Sequence, residues 1–331
     1  MKAFVVDKYK APLRRAEIAE PTVGENDVLV KVLAAGVNQL DEKIREGEFK
    51  AILPYKPTFT LGHDVAGTVL SVGSKVNGFS VGDTVYARPR DHHIGTFAER
   101  IAIHQDDVAL APKTISIIEA ASLPLVALTA WQALVVRGPV KPGQKVLIHA
   151  GAGGVGTIAI QLAKHLGAYV ATTASAKNAD FLRELGADQI IDYRSQDFEQ
   201  ELSGFELVLD SLGGKNLEKS LRILAPGGKA IGITGPPDPA FAHSKSMNPI
   251  LRLAITGLSA KIRKQAKKLG VNYEFLFMDA SSQQLREIAE LIDSGTLRPV
   301  VGKTFAFDEA PQALSALTKG GFRGKVVITG A

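Results

Sequence analysis

Two hydrophobic rhythms divide the chain. Up to about residue 120, apolar residues come in short runs closed by glycine or proline, at 2–6, 27–32, 64–72, 83–87 and 96–103. Such runs predict short strands, spaced tightly enough for a small barrel with loops between its strands. Residues 112–120 read as a loop leading into a helix start, and 127–136 as a helix. From about Leu123 strands and helices alternate. Strands at 146–148, 169–174, 189–192, 205–210 and 229–233 are separated by helical spacing at 155–166, 179–185 and 216–224, with Ala225-Pro226-Gly227-Gly228 as a turn. That alternation predicts an α/β unit with a doubly wound parallel sheet. A strand at 272–277, an amphipathic helix at 282–293 and closing strands near 304–307 and 324–328 follow. The expected division is 1–122 for the first unit, 123–278 for the second, and 279–331 as a return to the first.

The second unit opens on its most informative stretch. Val146-Leu147-Ile148 feeds His149-Ala150-Gly151-Ala152-Gly153-Gly154-Val155-Gly156, and Ile158, Ala159, Leu162, Ala163 and Leu166 then recur at helical spacing. Gly151, Gly153 and Gly156 satisfy G-x-G-x-x-G between a strand and a helix. Glycines there allow a sharp turn, a close backbone approach to a pyrophosphate and tight helix-to-sheet packing, with the phosphate resting on the helix N-terminus. The stretch from Gly151 through Ala152, Gly153, Gly154 and Val155 to Gly156 is therefore the candidate dinucleotide cradle. An NAD site places Asp or Glu on the ribose about twenty residues further on, whereas this chain has Ala174-Ser175-Ala176-Lys177-Asn178. Ser175 and Lys177 suit a 2′-phosphate, and two hydrogen bonds to a charged group, each worth about 1.5 to 3 kcal/mol, favour NADPH. The alternative is a solvated helix start with Asp180 as its first-turn acid.

Length and a 45% apolar content suffice for two cores. No run of 18 apolar residues suggests a membrane span, and no leader suggests export, so the expected location is cytoplasmic. Cysteine is absent, which excludes disulfides, thiolate metal sites and a cysteine nucleophile. The net charge of +5 is concentrated. Between residues 236 and 268, Lys245, Arg252, Lys261, Arg263, Lys264, Lys267 and Lys268 face Asp238 alone. Without interleaved aromatics this segment lacks the stacking platform of nucleic-acid binders, and it reads as a mobile or solvated insertion. Ile250, Leu251, Leu253, Ile255 and Leu258 lie among the cations, which leaves contact with an anionic membrane surface or a partner as the other reading.

Gly36-Val37-Asn38, Gly62-His63-Asp64-Val65-Ala66-Gly67, Gly95-Thr96-Phe97-Ala98-Glu99 and the glycine loop together resemble the medium-chain dehydrogenase/reductase superfamily, end to end. Within it the chain is similar to the zinc-independent quinone oxidoreductases and NADPH-dependent enone reductases, the zeta-crystallin group. The resemblance implies a GroES-like β-barrel catalytic domain plus a Rossmann domain, with the active site in the cleft between them, and a homodimer. It also implies Asn38 and Thr129 near the nicotinamide, Tyr193 beside Ser175 and Lys177 at the 2′-phosphate, and Gly213, Thr234 and Lys325 as further coenzyme contacts. In zinc-dependent relatives, cysteine follows the Gly-Val pair and a His-Glu pair fills the second motif. Here Asn38 and His63-Asp64 stand in those places, with roughly Leu125 at the second cysteine, short of the three ligands of a catalytic zinc. The four-cysteine structural site is missing as well.

The reaction so implied is hydride transfer from NADPH to a quinone or to the C=C bond of an α,β-unsaturated carbonyl, with no metal. Asn38 is the first candidate for stabilising charge on the substrate oxygen, with Tyr55 second and His63 lining the site. Two rivals remain: a zinc-dependent alcohol dehydrogenase using His63, Asp64 and His92 or His93, and a non-catalytic NADPH-binding protein.

Overall fold

The computed structural model describes residues 1–330 of the 331-residue chain. The chain divides into two compact units, Met1–Leu128 with the segment from Asp279 onward, and Thr129–Met278.

The first unit contains β1 (Lys2–Val6), β2 (Arg14–Glu17), β3 (Asp27–Val37), β4 (Phe59–Thr60), β5 (Val65–Val72), β6 (Thr84–Ala87), β7 (Arg100–His104) and β8 (Val108–Leu110). The second holds β9 (Lys145–Ile148), β10 (Tyr169–Ala174), β11 (Gln189–Asp192), β12 (Phe205–Asp210), β13 (Leu224–Gly232) and β14 (Asn272–Phe275). The chain then returns to the first unit with β15 (Val301–Ala306) and β16 (Lys325–Thr329).

The spine of the first unit is β3. Its early residues alternate between buried and open positions, and its last four are all buried. Both edges are paired, β5 running antiparallel along one side while β7 covers residues 27–31 and β16 covers 34–37 on the other, and a helix, Ile117–Ala121, packs against the strand near Gly36. The small run Ala34-Ala35-Gly36 suits a strand covered on both faces. A strand ending at residue 32 was expected, and partners from residue 325 onward extend it. The run expected at 96–103 splits. Phe97 bonds to Phe4 and Leu61, Ala98 bridges Ala3, and the contact with β3 begins at Glu99, whose carbonyl accepts from Val32 N–H, and continues through Arg100–His104. The strands form a seven-stranded sheet containing β15, β16, β3, β5, β6, β8 and β7, and a separate β2-β1-β4 sheet.

The second unit is a parallel sheet ordered β11-β10-β9-β12-β13-β14. Chain order reverses between β9 and β12, which places a crevice beyond their carboxyl ends. The expected turn Ala225-Pro226-Gly227-Gly228 is instead a bulge inside β13, whose register against β12 shifts between Phe205 and Leu207. The helix expected over 127–136 is the α-helix Pro124–Trp131 running into a π-turn at Gln132–Arg137.

The basic segment is folded, correcting the expectation of a solvated insertion. It forms helices Pro239–Ser244, Pro249–Leu258 and Ala260–Leu269. Asp238 and Asn248 cap the first two through the amides of Phe241 (2.8 Å) and Leu251 (2.9 Å), each followed by a proline at the helix start. Ile255, Ile262 and Ala266 are buried, the last two in the core under β13.

One close approach in β5 is testable. Gly67 lies opposite Val32, and a Cβ there would sit 1.9 Å from the Lys31 carbonyl oxygen. Gly67→Ala should therefore lower the unfolding free energy by about 3 kcal/mol, read from denaturant midpoints.

Candidate functional site

The glycine turn leaves β9 at Ile148 and enters the helix Gly154–His165. The residue in left-handed conformation is Ala150 (φ 53°), and none of Gly151, Gly153, Gly154 or Gly156 has positive φ. Two of these glycines are demanded by space. A Cβ on Gly151 would meet Thr172 Oγ1 at 2.2 Å, and one on Gly156 the Ala150 carbonyl oxygen at 2.5 Å. The sharp turn thus owes its handedness to Ala150 and its closeness to the glycines. The helix N-cap is Gly153, which has no side chain to give the first-turn amides. Ala152, Gly153, Gly154 and Val155 are half-exposed there. An amide-rich helix start of this kind suits a pyrophosphate.

The register of β10 against β11 creates a second corner. Ala174 lies opposite Asp192, so Ser175 and Tyr193 leave neighbouring parallel strands side by side, and Tyr193 N–H donates to the Ala174 carbonyl (3.3 Å). Ser175 is buried and accepts from Asn178 Nδ2 (3.3 Å). Lys177 is exposed on the short 3-10 turn Ala176–Asn178, and Tyr193 is 61% exposed with the Arg194 guanidinium over its ring. Asp180, the competing first-turn acid, pairs with Arg183 (2.7 Å). Gly213, left-handed at φ 67°, lies at the mouth of β12, and a Cβ on it would stand 3.2 Å from the Thr234 carbonyl oxygen. Thr234 itself is exposed, and Thr129 is buried in the helix Pro124–Trp131.

Beneath the turn runs a buried polar chain that sequence reasoning missed. His149 Nδ1 lies 3.0 Å from Thr173 Oγ1, and Nε2 lies 2.9 Å from Ser220 Oγ. Ser220 Oγ also reaches Asp210 Oδ2 (3.4 Å), while Asp210 Oδ1 accepts the amides of Gly213 (2.6 Å) and Leu212 (3.0 Å). The ends of β9, β10 and β12 and the helix Gly214–Ile223 are tied together in this way. Burial lowers the His149 pKa from the usual imidazole value, and the Asp210 carboxylate opposes it. The available signal was a histidine closing an apolar run one turn before the glycines.

The first unit carries its own polar cluster at the end of β3. Asn38 N–H donates to Asp41 Oδ2 (2.7 Å), and Asp41 Oδ1 holds His63 Nδ1 at 2.6 Å. Asn38 Nδ2 donates to Asp64 Oδ2 (2.9 Å), and the Leu125 amide to Asp64 Oδ1 (2.7 Å). Lys325 Nζ donates to the Val37 carbonyl (3.0 Å), Asp64 Oδ2 (3.1 Å) and Asn38 Oδ1. Asn38, Asp41, His63, Asp64 and Lys325 are all buried. Gly36 makes the approach possible, because a Cβ there would lie 2.9 Å from Asp64 Oδ2.

This geometry changes several expectations. Lys325 has three protons and three acceptors inside the first unit, so its ammonium is satisfied within the cluster. Asn38 has its carboxamide directed at Asp64, Gly36 and Lys325, which makes it an internal linker rather than a free donor. Zinc does not fit the donor set: Asn38 Oδ1 and Asp64 Oδ2 hold an ammonium, which leaves His63 Nε2 as a lone nitrogen, short of the three protein ligands of a catalytic zinc. Among the described residues no group of three or more His, Asp or Glu is placed to hold a metal. His63 Nε2 stays buried without a hydrogen-bond partner. Tyr55 is clamped by Tyr9, which donates to the Tyr55 carbonyl (2.9 Å) and accepts from its amide (2.7 Å). Its hydroxyl accepts the His92 N–H (3.2 Å), and burial raises the phenol pKa, so it keeps its proton at neutral pH.

Known proteins resemble the chain along its whole length. Residues 24–113 match the alcohol dehydrogenase GroES-like domain family, and 185–328 match the zinc-binding dehydrogenase family. The chain is 35% identical to the NAD(P)H oxidoreductase RTN4IP1, mitochondrial, of Danio rerio, over 99% of this chain and 91% of that protein. It is 34% identical to the NADPH-dependent alkenal/one oxidoreductase, chloroplastic, of Arabidopsis thaliana, over 99% of this chain and 79% of the relative. The quinone oxidoreductase structure from Coxiella burnetii superposes with a TM-score of 0.85 at 31% identity, covering 100% of this chain and 99% of that one.

Lys325→Met should cost about 3 to 5 kcal/mol of stability in denaturant titrations, because Asp64 would be left buried and unpaired. His149 takes up its proton more readily unfolded than folded, so wild-type stability should fall as pH drops through about 6.5. His149→Gln should flatten that slope between about pH 7.5 and 5.5 in the same titrations.

Proposed function

The chain belongs to the medium-chain dehydrogenase/reductase superfamily, and we propose that it is an NADPH-dependent oxidoreductase acting on a quinone or the C=C bond of an α,β-unsaturated carbonyl, without zinc. The observation that carries the coenzyme choice is the corner at the ends of β10 and β11. Strand register brings Ser175 and Tyr193 together there, Lys177 follows, and no carboxylate takes the place that would read a ribose hydroxyl. Relatives named as an NADPH-dependent alkenal/one oxidoreductase and a quinone oxidoreductase point the same way.

When bound, NADPH supplies the hydride. The chain's residues do the rest. Gly151 to Gly156 receive the pyrophosphate, Lys177, Ser175 and Tyr193 the 2′-phosphate, and Gly213, Thr234 and Thr129 flank the coenzyme. Tyr55, protonated throughout the neutral range, is the better hydrogen-bond donor to a substrate oxygen. Lys325 and Asp64 hold Asn38, and Asp41 holds His63. A hydrogen-bond donor at the substrate oxygen then stabilises the developing charge without a Lewis acid. The protein is taken to be cytoplasmic and homodimeric, with sheet-edge strand β14 as the pairing edge. Among the described residues no helix is long and apolar enough to cross a membrane.

Replacing Lys177 with Ala should raise the KM for NADPH about 10- to 100-fold and leave that for NADH nearly unchanged. Equal effects would reject the phosphate corner. NADPH oxidation assayed with 9,10-phenanthrenequinone, short enals and long-chain enones tests the activity itself. Coenzyme binding with no turnover of any of them would reject the catalytic reading.

A further inference from the structure

The helix pair Pro249–Leu258 and Ala260–Leu269 carries a surface unused by the function above. Ser259 interrupts it only slightly, since its N–H bonds the Ile255 carbonyl (3.2 Å) and its own carbonyl accepts from Arg263 (3.0 Å). Ile255, Ser259, Ile262 and Ala266 therefore form one buried stripe at helical spacing. Ile250, Leu253, Gly257, Lys261, Lys264 and Lys268 recur at the same spacing on the outer side, where all six are exposed. That outer row changes character along its length. Ile250 is 83% exposed and Leu253 74%, with Leu258 beside them at 66%. Beyond Ser259 the row is lysine, with Lys267 adjacent.

The segment's only acid, Asp238, is buried and accepts the amides of Phe241 (2.8 Å) and Phe275 (3.0 Å). From the neighbouring helix, Glu218 pairs with Lys261. Arg263 turns inward onto Ser259 and the Thr256 carbonyl. Lys264, Lys267 and Lys268 stay outside, at the end of the row opposite Ile250.

We propose that this face docks the protein on an anionic lipid surface. Ile250, Leu253 and Leu258 enter the headgroup boundary, and Lys264, Lys267 and Lys268 lie on the phosphates. Two features favour a bilayer. The apolar part is the outer side of a helix carrying branched aliphatics that stand more than half exposed, and interfacial helices bury such a face about 5 to 10 Å deep. The exposed charge of Lys264, Lys267 and Lys268 is also positive, complementary to acidic headgroups. A second copy would bring no exposed acid from this segment to meet the lysines.

Co-sedimentation of the full-length protein with vesicles tests this. Vesicles of phosphatidylcholine containing about 30% phosphatidylglycerol should bind it about tenfold or more tightly than phosphatidylcholine alone, and high salt should release it. The variants Ile250→Ser/Leu253→Ser/Leu258→Ser and Lys264→Glu/Lys267→Glu/Lys268→Glu should each lose vesicle binding while keeping wild-type NADPH affinity. Should the apolar triple variant lose coenzyme affinity through misfolding, Leu253→Ser decides, weakened vesicle binding supporting the proposal and unchanged binding overturning it. Absence of wild-type binding to anionic vesicles overturns it. So does equal binding to both vesicle types, or a Ser triple variant that only reduces the oligomer size in light scattering.

Discussion

A lysine ammonium cut off from water needs acceptors for all three protons, and Lys325 finds them at the end of β3. Its presence there follows from the antiparallel register of β16 on β3, which sets Val326 opposite Val37. Once the ammonium is in place, Asp64 can be buried as an anion, accepting from Lys325, Asn38 and Leu125. A buried ion pair adds little net stability, yet removing one partner is costly. The pair therefore acts as a constraint on register: any slip of β16 would strand a charge in the core. Asn38 and, through its amide, Asp41 and His63 take their positions from the same arrangement.

The second unit solves a different problem, that of bringing backbone close to a polyanion. Space is the scarce quantity there. Gly151 and Gly156 are required because Thr172 and Ala150 occupy the volume a side chain would need. The unusual backbone falls on Ala150, a non-glycine residue in the left-handed region, and such positions hold only when the surroundings fix them. The His149, Ser220 and Asp210 chain is part of that fixing. It links the strand leading into the turn to the amides of Leu212 and Gly213, so that two loops at the carboxyl ends of the parallel strands share one buried support.

Much of this was legible in the sequence. The apolar runs of β9 to β12 and the glycine spacing gave the parallel sheet and its turn, because a strand buried on both faces and a helix packed against it leave local patterns. Ser175, Lys177 and Tyr193 were identified together, and strand register brings Ser175 and Tyr193 side by side. Less visible were elements whose burial comes from distant partners. The second half of β3 lacks alternation because distant elements surround it, β16 along its edge and the helix Ile117–Ala121 packed against it. The helices of the basic segment were hidden behind its charge, although Asp238-Pro239 and Asn248-Pro249 are ordinary cap-and-proline starts.

The sequence by itself determined the α/β alternation, the glycine turn and the lack of an acidic ribose reader, since each depends on residues close together in the chain. Only the tertiary structure decided what Asn38, His63, Asp64 and Lys325 do. Their roles depend on which acceptor lies within hydrogen-bond reach of which donor, and that distance is set by the folding of strands far apart in sequence. The same residue types, open to solvent, would make a plausible metal or substrate site; buried against one another, they satisfy each other first.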